Sequence, residues 1–426
     1  MNLKPLRAIT SLVAAAALVA TVSPGTAWAA SGVTLTGPAR GVTLQFMIAS
    51  SGTAETNADK AAAAAWSKAT GNKVNVINSS NLQEQLTEAF AGGTPPDIFY
   101  GETPMFDSMV KQGQLLDSGS LVYPPSDFYP ALVKEFTYNG QFYCVPKDSS
   151  TLAIEINVQD WKAAGLTNAD LPTTWAKLAA DAKALTRNGV TGLVMSPTLD
   201  RIGAFFKEAG GSYINAQGTQ FTFDSPQNLE AMKFLQGMLR AGTLKWSSQV
   251  DAGWGGEAFG LGKAAMTVEG NWIIGAMQSD YPKISYEVVP MPVGPSGDHG
   301  TLVFTNCWGI AAASKYTRAA VSFAKYLASP AQQLRFANAF GVMPSRPAVA
   351  KQWAAEHSKQ LVASGNEYPN VSAFVQGDAY ALPQVSTIGF ATVQNNFDNE
   401  LINLATGNPA QMLSQLQTYS EALLHP

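Results

Sequence analysis

Along the first part of the chain, short β-branched or aromatic runs alternate with apolar residues at helical spacing. This alternation constrains the fold more than any other feature. Residues 42–48 read as a strand, 61–68 as a helix stopped by Gly71, and 74–77 as a second strand. Leu82, Leu86, Ala89 and Phe90 then recur at helical spacing until Gly92-Gly93 and Pro95 end the run. Residues 98–100 form a third strand and 105–111 the next helix. Strands alternating with helices at this spacing imply a parallel sheet covered on both faces. Ligands of such sheets bind beyond the carboxyl ends of the strands. Here those ends are Ala49-Ser50-Ser51-Gly52 and Gly101-Glu102-Thr103.

A second region begins near Thr151. Pro172-Thr173-Thr174-Trp175 opens a helix with a hydroxyl cap, and Trp175, Leu178, Ala179, Ala182 and Leu185 mark its buried face. A strand at 192–195, a turn at Gly210-Gly211 and helices at 226–240 and 319–327 continue the pattern, and two amphipathic helices flank Gly407-Asn408-Pro409. With 426 residues and no internal repeat or low-complexity linker, the chain has room for two lobes with several crossings between them.

The N-terminus predicts export. Lys4 and Arg7 precede an apolar run at 9–22, Pro24 and Gly25 break it, and Ala27-Trp28-Ala29 supplies the small residues of a cleavage site. Residues 1–29 thus read as a signal peptide, its apolar run too short for a permanent span. No Cys follows the expected cut, which argues against a lipoprotein. A net charge of −4 with 14% charged residues leaves no basic footprint for nucleic acid and no polybasic membrane patch. Cytosolic cofactors are not expected outside the cell. Gly262-Lys263 is followed by Ala264 where a phosphate loop needs Ser or Thr. His299, His357 and His425 are scattered, without zinc spacing to a Cys, so no cofactor or metal is expected. Cys144 and Cys307 are the only cysteines; the residues alone favour buried free thiols over pairing.

Four ordered stretches carry a family resemblance. They are Ala91-Gly92-Gly93-Thr94-Pro95-Pro96-Asp97-Ile98 with Gly113-Gln114-Leu115-Leu116-Asp117; Tyr138-Asn139-Gly140-Gln141-Phe142-Tyr143-Cys144-Val145-Pro146 with Ile156-Asn157, Ala164-Gly165-Leu166 and Pro172-Thr173-Thr174-Trp175; Gly262-Lys263-Ala264-Ala265-Met266-Thr267-Val268-Glu269-Gly270-Asn271-Trp272; and Val289-Pro290-Met291-Pro292 with Trp308-Gly309-Ile310, Ala328-Ser329-Pro330 and Met343-Pro344. In order and spacing the chain resembles the extracellular solute-binding proteins of ABC importers, in the carbohydrate, maltose-binding-like branch. The resemblance implies an α/β, two-lobed periplasmic-binding-protein-like fold of type II. Each lobe would be a mostly parallel sheet flanked by helices, the two joined by crossing hinge strands. The N-lobe would hold 30–147 and 311–341, and the C-lobe 149–306 and 346–426. The hinge would lie near 145–152, 305–312 and 342–348. Cys144 and Cys307 then fall near crossing strands, where a disulfide becomes more favoured.

Sugars need aromatic faces for their C–H surfaces and fixed polar groups for their hydroxyls. Trp272 matches the family tryptophan that stacks on sugar. Trp254 lies in a glycine-rich stretch that suits a cleft rim. Asn306 and Trp308 stand where the chain recrosses, and relatives place contacts there. Phe390 falls where relatives carry a stacking aromatic, although Gly389 departs from the maltose pattern. Glu102 ends the third strand, at a place where the family supplies contacts. Asp200 and Arg201 fall in an expected loop where maltose-type relatives cluster contacts. Ser50, Ser51 and Glu55 follow the first strand, and Ser149 sits at the first crossing. Asp97, at the start of its strand, is expected to fix backbone instead. Trp66, Trp161, Trp175 and Trp353 follow helical faces and are expected to pack.

The expected function is capture of a sugar, an oligosaccharide above all, for delivery to ABC permease subunits by a monomer that does no chemistry. The alternative ligand is sn-glycerol 3-phosphate or a glycerophosphodiester, for which Arg201 and Arg346 are the candidate cations. A secreted glycoside hydrolase is more remote, since no carboxylate spacing argues for a catalytic pair.

Overall fold

Ten consecutive buried residues, Asp148–Asn157, form the longest strand among the described residues and the spine of the second sheet. This computed structural model describes residues 32–49, 53–215, 219–363, 371–385, 387 and 389–424. The expected signal peptide, Ser50 and Ser51 lie outside the described residues. In chain order the strands that build the two sheets are Thr43–Ile48 (β1), Lys73–Asn78 (β2), Ile98–Glu102 (β3), Asp148–Asn157 (β4), Thr191–Met195 (β5), Leu244–Trp246 (β6), Ala264–Gly270 (β7), Tyr286–Val289 (β8), Val303–Phe304 (β9), Asn306–Ile310 (β10) and Met343–Pro344 (β11).

The first sheet has the order β10-β3-β1-β2. Its three N-terminal strands are parallel, as the alternation requires, and β10 pairs antiparallel with β3. Helices Thr53–Thr70 and Leu82–Ala91 connect the first three strands, and Thr103–Lys111 follows β3. Asp97 holds backbone as expected, Oδ2 accepting from Gln45 N at 2.8 Å, and its Oδ1 accepts from the Ser314 hydroxyl at 2.6 Å.

The second sheet corrects the expectation of a mostly parallel C-lobe. Its order is β8-β4-β7-β5-β6, with β9 and β11 also on β4. Every partner of β4 runs antiparallel to it, and only β5 pairs in parallel, with β6 and β7. The short segments that return to pair with the first residues of β4 run opposite to it. Met343 and Pro344 pair with Ser149 and Asp148, and Val303 and Phe304 with Thr151 and Ser150.

The helices follow their local signals. Thr174 Oγ1 accepts from Lys177 N at 3.3 Å and caps Trp175–Leu185. Ser225 caps Pro226–Arg240, with Pro at the first turn. Trp66, Trp161, Trp175 and Trp353 are all buried packing residues, as expected. One core gathers β1, β3 and β10 with Phe323 and Phe336; two others cover opposite faces of the β4 sheet.

The cysteines overturn the reading of free thiols. Cys144 and Cys307 form a disulfide with Cα atoms 5.7 Å apart. Trp308 N donates to Val145 O at 3.1 Å, and Pro146 bridges Cys307, so backbone pairing holds the two segments side by side. Gly101 completes the fit, since a Cβ there would lie 2.7 Å from Cys307 Sγ.

Loss of hydration raises several carboxyls that are buried or half-buried: Asp378 and Asp398 are each pushed up to about 7 and Glu135 to about 8. Because the folded chain binds these protons more tightly than the unfolded chain, stability is full at low pH and is lost as pH rises through these values. The urea midpoint is therefore expected to be higher at pH 5 than at pH 8. A midpoint that climbs between those two pH values would contradict this assignment.

Candidate functional site

Trp272 sits just beyond the end of β7, half-buried, at the start of helix Ile273–Ser279. Its indole is held on several sides. Nε1 donates to Glu269 Oε2 at 3.0 Å. The Arg201 guanidinium lies 5.2 Å from the ring centroid, and Phe304 makes an edge contact at 5.4 Å between centroids. Gly270 is required here, because a Cβ would stand 2.2 Å from the ring.

Arg201 reaches the same carboxylate: Nη2 donates to Glu269 Oε2 at 2.6 Å. Asp200 and Arg201 occupy the first turn of helix Leu199–Glu208, not the expected loop. An acidic residue there faces the positive end of the helix dipole. Gln394 Nε2 donates to Asp200 Oδ1 at 3.1 Å, and Leu199 N donates to Asp398 Oδ1 at 2.6 Å. Burial raises the Asp200 carboxyl while Arg201 pulls it back.

Trp254 is also half-buried, but the glycine-rich stretch around it is not all loop. Trp254 caps the short helix Gly255–Gly260, and its ring lies where a Cβ on Gly256 would be, 2.1 Å away. Gly255 abuts the same carboxylate, since its Cβ would fall 2.7 Å from Glu269 Oε1. Trp272 and Arg201 thus meet on one buried acid, with Phe304 against the Trp272 ring, while Trp254 packs beside the next turn.

In the other lobe, Glu102 and Asn306 are register partners at the end of the β3–β10 pair, both half-buried. Burial raises the Glu102 carboxyl. Its side chain makes no capping bond to the helix that follows.

Four expected contacts are corrected. Trp308 is fully buried between Phe46, Tyr100 and Phe336, at 5.5–6.0 Å between centroids, and offers no face to a ligand. Alternation along β10 turns its ring into the N-lobe core. Phe390 stacks nearly parallel on Phe221 and Phe223, at 5.6 and 5.9 Å, and closes the C-lobe core. Ser149 is buried and donates to Asp378 Oδ1 at 2.6 Å. Glu55 is buried in an ion pair with Lys147 at 2.9 Å, alongside Asp148 at 2.5 Å from the same ammonium.

Phe304, Gln394 and Asp398 escaped the sequence reading. Phe304 reads as an ordinary strand residue, and Gln394 and Asp398 as an ordinary helix face; only tertiary packing brings them to Trp272 and Asp200. Arg346 is engaged elsewhere. Its Nη1 donates to Asp127 at 2.6 Å and its Nε to Ala328 O at 3.0 Å, with Cζ 4.0 Å from the Tyr123 centroid.

Solved structures of similar fold include the GacH receptor of Streptomyces glaucescens GLA.O, determined unliganded and with acarbose. It is 22% identical, with 90% of this chain and 98% of that chain covered at a TM-score of 0.74. An ABC substrate-binding protein from Listeria monocytogenes, in complex with cycloalternan, is 20% identical, with 89% and 97% covered at 0.75. UgpB from Mycobacterium tuberculosis, in complex with glycerophosphocholine, is 16% identical, with 90% and 98% covered at 0.74. At these identities the likeness establishes the two-lobed fold. The sequence profile described as bacterial extracellular solute-binding protein matches residues 61–364, most of the chain. The chain belongs to the bacterial extracellular solute-binding protein family.

Proposed function

We propose that this protein is the substrate-capturing component of an ABC importer and that its ligand is a sugar, taken between the lobes and released unaltered to permease subunits. The observation that carries this reading is the half-buried Trp272 indole, oriented by Glu269, Arg201 and Phe304 at the end of a sheet strand. A flat indole with polar neighbours is what a pyranose face and its hydroxyls require. Similar folds solved with acarbose and cycloalternan support the same class of ligand. Glu102 and Asn306 would serve the ligand from the N-lobe, and Asp200 and Trp254 from the C-lobe. The three crossing segments near 145–152, 305–312 and 342–348 would act as the hinge, and ligand contacts with both lobes would favour the closed state. The N-terminal reading supports export, and among the described residues no helix is long and apolar enough to cross a membrane.

Calorimetry and tryptophan fluorescence against maltose, maltotriose, maltotetraose, cellobiose and raffinose test the reading, beside mass spectrometry of any co-purifying ligand. Silence toward every sugar, with saturable binding of another solute class, would retire it. Within a responding series, Trp272→Ala is expected to weaken binding by about 30- to 100-fold, roughly 2–3 kcal/mol for losing a buried aromatic plate. An affinity within threefold of wild type would place the sugar elsewhere.

A further inference from the structure

Glu269 is a carboxylate with no exposure that faces the half-buried groups around Trp272. Oε2 alone accepts both the Arg201 guanidinium, at 2.6 Å, and the Trp272 indole N–H, at 3.0 Å. Oε1 has no partner and is boxed by Gly255, where a Cβ would fall 2.7 Å away. The acid therefore has little freedom to leave, and the two groups it holds have little freedom to turn. Arg201 brings the positive charge to this wall, and Glu269 cancels it. Three further carboxyls stand nearby. Asp200 and Asp398 lie on the helices beside Arg201, and Glu155 lies buried without a partner on the strand next to Glu269. A phosphate brought against the indole would meet a guanidinium whose charge Glu269 already neutralises, with only its buried Nε left without a partner, and would lose hydration with little electrostatic repayment.

We propose that Glu269 is a positioning residue with two effects: it fixes Trp272 as the stacking plate, and by occupying Arg201 it makes the site select uncharged polyhydroxylated ligands over phosphate-bearing ones. This rests on the sugar reading above and deepens it. It also separates this chain from a site built to hold a phosphodiester on a free arginine.

The test compares wild type, Glu269→Gln and Glu269→Gln/Arg201→Met. The probes are the five neutral sugars named above and sn-glycerol 3-phosphate. Wild type is expected to bind its best neutral sugar at least a hundredfold more tightly than sn-glycerol 3-phosphate. In Glu269→Gln the amide still accepts from Trp272 but no longer neutralises Arg201. Affinity for the sugar is expected to fall about tenfold, the ordinary effect of weakening a charge-assisted contact. Affinity for sn-glycerol 3-phosphate should rise at least fivefold and be lost again in the double variant. Tryptophan emission should shift in Glu269→Gln and not when the same change is made in a Trp272→Phe background. A purely structural role would not produce a charge-selective gain. Sugar affinity within twofold, unchanged emission and no gain for the phosphate would overturn the proposal, as would wild type binding sn-glycerol 3-phosphate as tightly as sugar. Silence of wild type toward all five sugars would instead count against the sugar reading, and this inference would fall with it. Should Glu269→Gln not fold, Arg201→Lys serves. A lysine keeps the charge but not the planar cover over the indole, so emission should shift and sugar binding weaken at least fivefold; no change in either would overturn the assignment.

Discussion

Lys147→Met is expected to destabilise the protein by about 3–5 kcal/mol at pH 8, the usual cost of orphaning buried charge. The ammonium, with its side chain 3% exposed, lies 2.9 Å from Glu55 and 2.5 Å from Asp148. It also sits 4.6 Å from the Tyr100 centroid and 5.2 Å from that of Phe340. The Tyr100 hydroxyl stands 2.9 Å from Glu55 and 2.6 Å from Asp59, so one amine and one phenol serve three buried acids. Burial alone would lower the lysine's pKa; Asp148, Glu55 and Asp59 outweigh it and raise it. Asp59 is pushed up to about 7, by burial first, against the pull of Lys147.

Without the ammonium the acids can remain buried only by taking up protons. The variant's loss should therefore shrink at pH 5, where protonation is cheap, and grow toward pH 8. That sign follows because acids raised in the folded state give stability that disappears as pH rises through their folded values. Urea titrations at both pH values, with Lys147→Met/Glu55→Gln/Asp148→Asn as a partial rescue, measure it. A loss below about 1 kcal/mol at pH 8 would show that the cluster holds little charge. The cluster also joins the two sheets. Glu55, Asp59 and Tyr100 belong to the N-lobe helix and sheet, whereas Asp148 begins β4 and accepts from Thr305 through its backbone oxygen at 2.7 Å.

The second large effect concerns the disulfide. Cys144 and Cys307 are 163 residues apart, so the bond closes a long loop in the unfolded chain. In the chain-entropy account, opening it costs about 4–5 kcal/mol. The Cys144→Ala/Cys307→Ala protein should unfold at a clearly lower urea concentration than the oxidised wild type. Both sulfurs are fully buried, so dithiothreitol should reduce the native protein only as fast as it unfolds. Reduction at the same rate in 0 M urea as in the unfolded state, or a double variant as stable as wild type, would contradict this.

The elements were legible where local chemistry repeats. Ser225-Pro226 starts a helix and Arg240 lies at its end, as the sequence indicates, and the β1–β3 alternation carries the parallel N-lobe sheet. The C-lobe was less legible. A buried strand such as β4 reads the same whether its neighbours run with it or against it, and direction is set by how the chain returns. Of the expected contacts, Trp272, Arg201 and Asp200 stand close together around Glu269 and Gln394, whereas Trp308, Phe390, Ser149 and Glu55 are buried in contacts within the protein. An aromatic beside a crossing, or a polar residue at a strand end, carries no mark of which way its side chain turns.

By itself, then, the sequence determined the α/β alternation and most of the N-lobe elements, because those depend on periodicity, caps and breakers within a few residues of each other, and its ordered motifs carried the resemblance that implied the family and the two lobes. Tertiary structure alone decided the sulfur bond, the running direction of the C-lobe strands, the charge cluster around Lys147, and which indole is held at the site and which is packed away. Each of these depends on contacts between residues tens to hundreds of positions apart, and local chemistry carries no record of such distances.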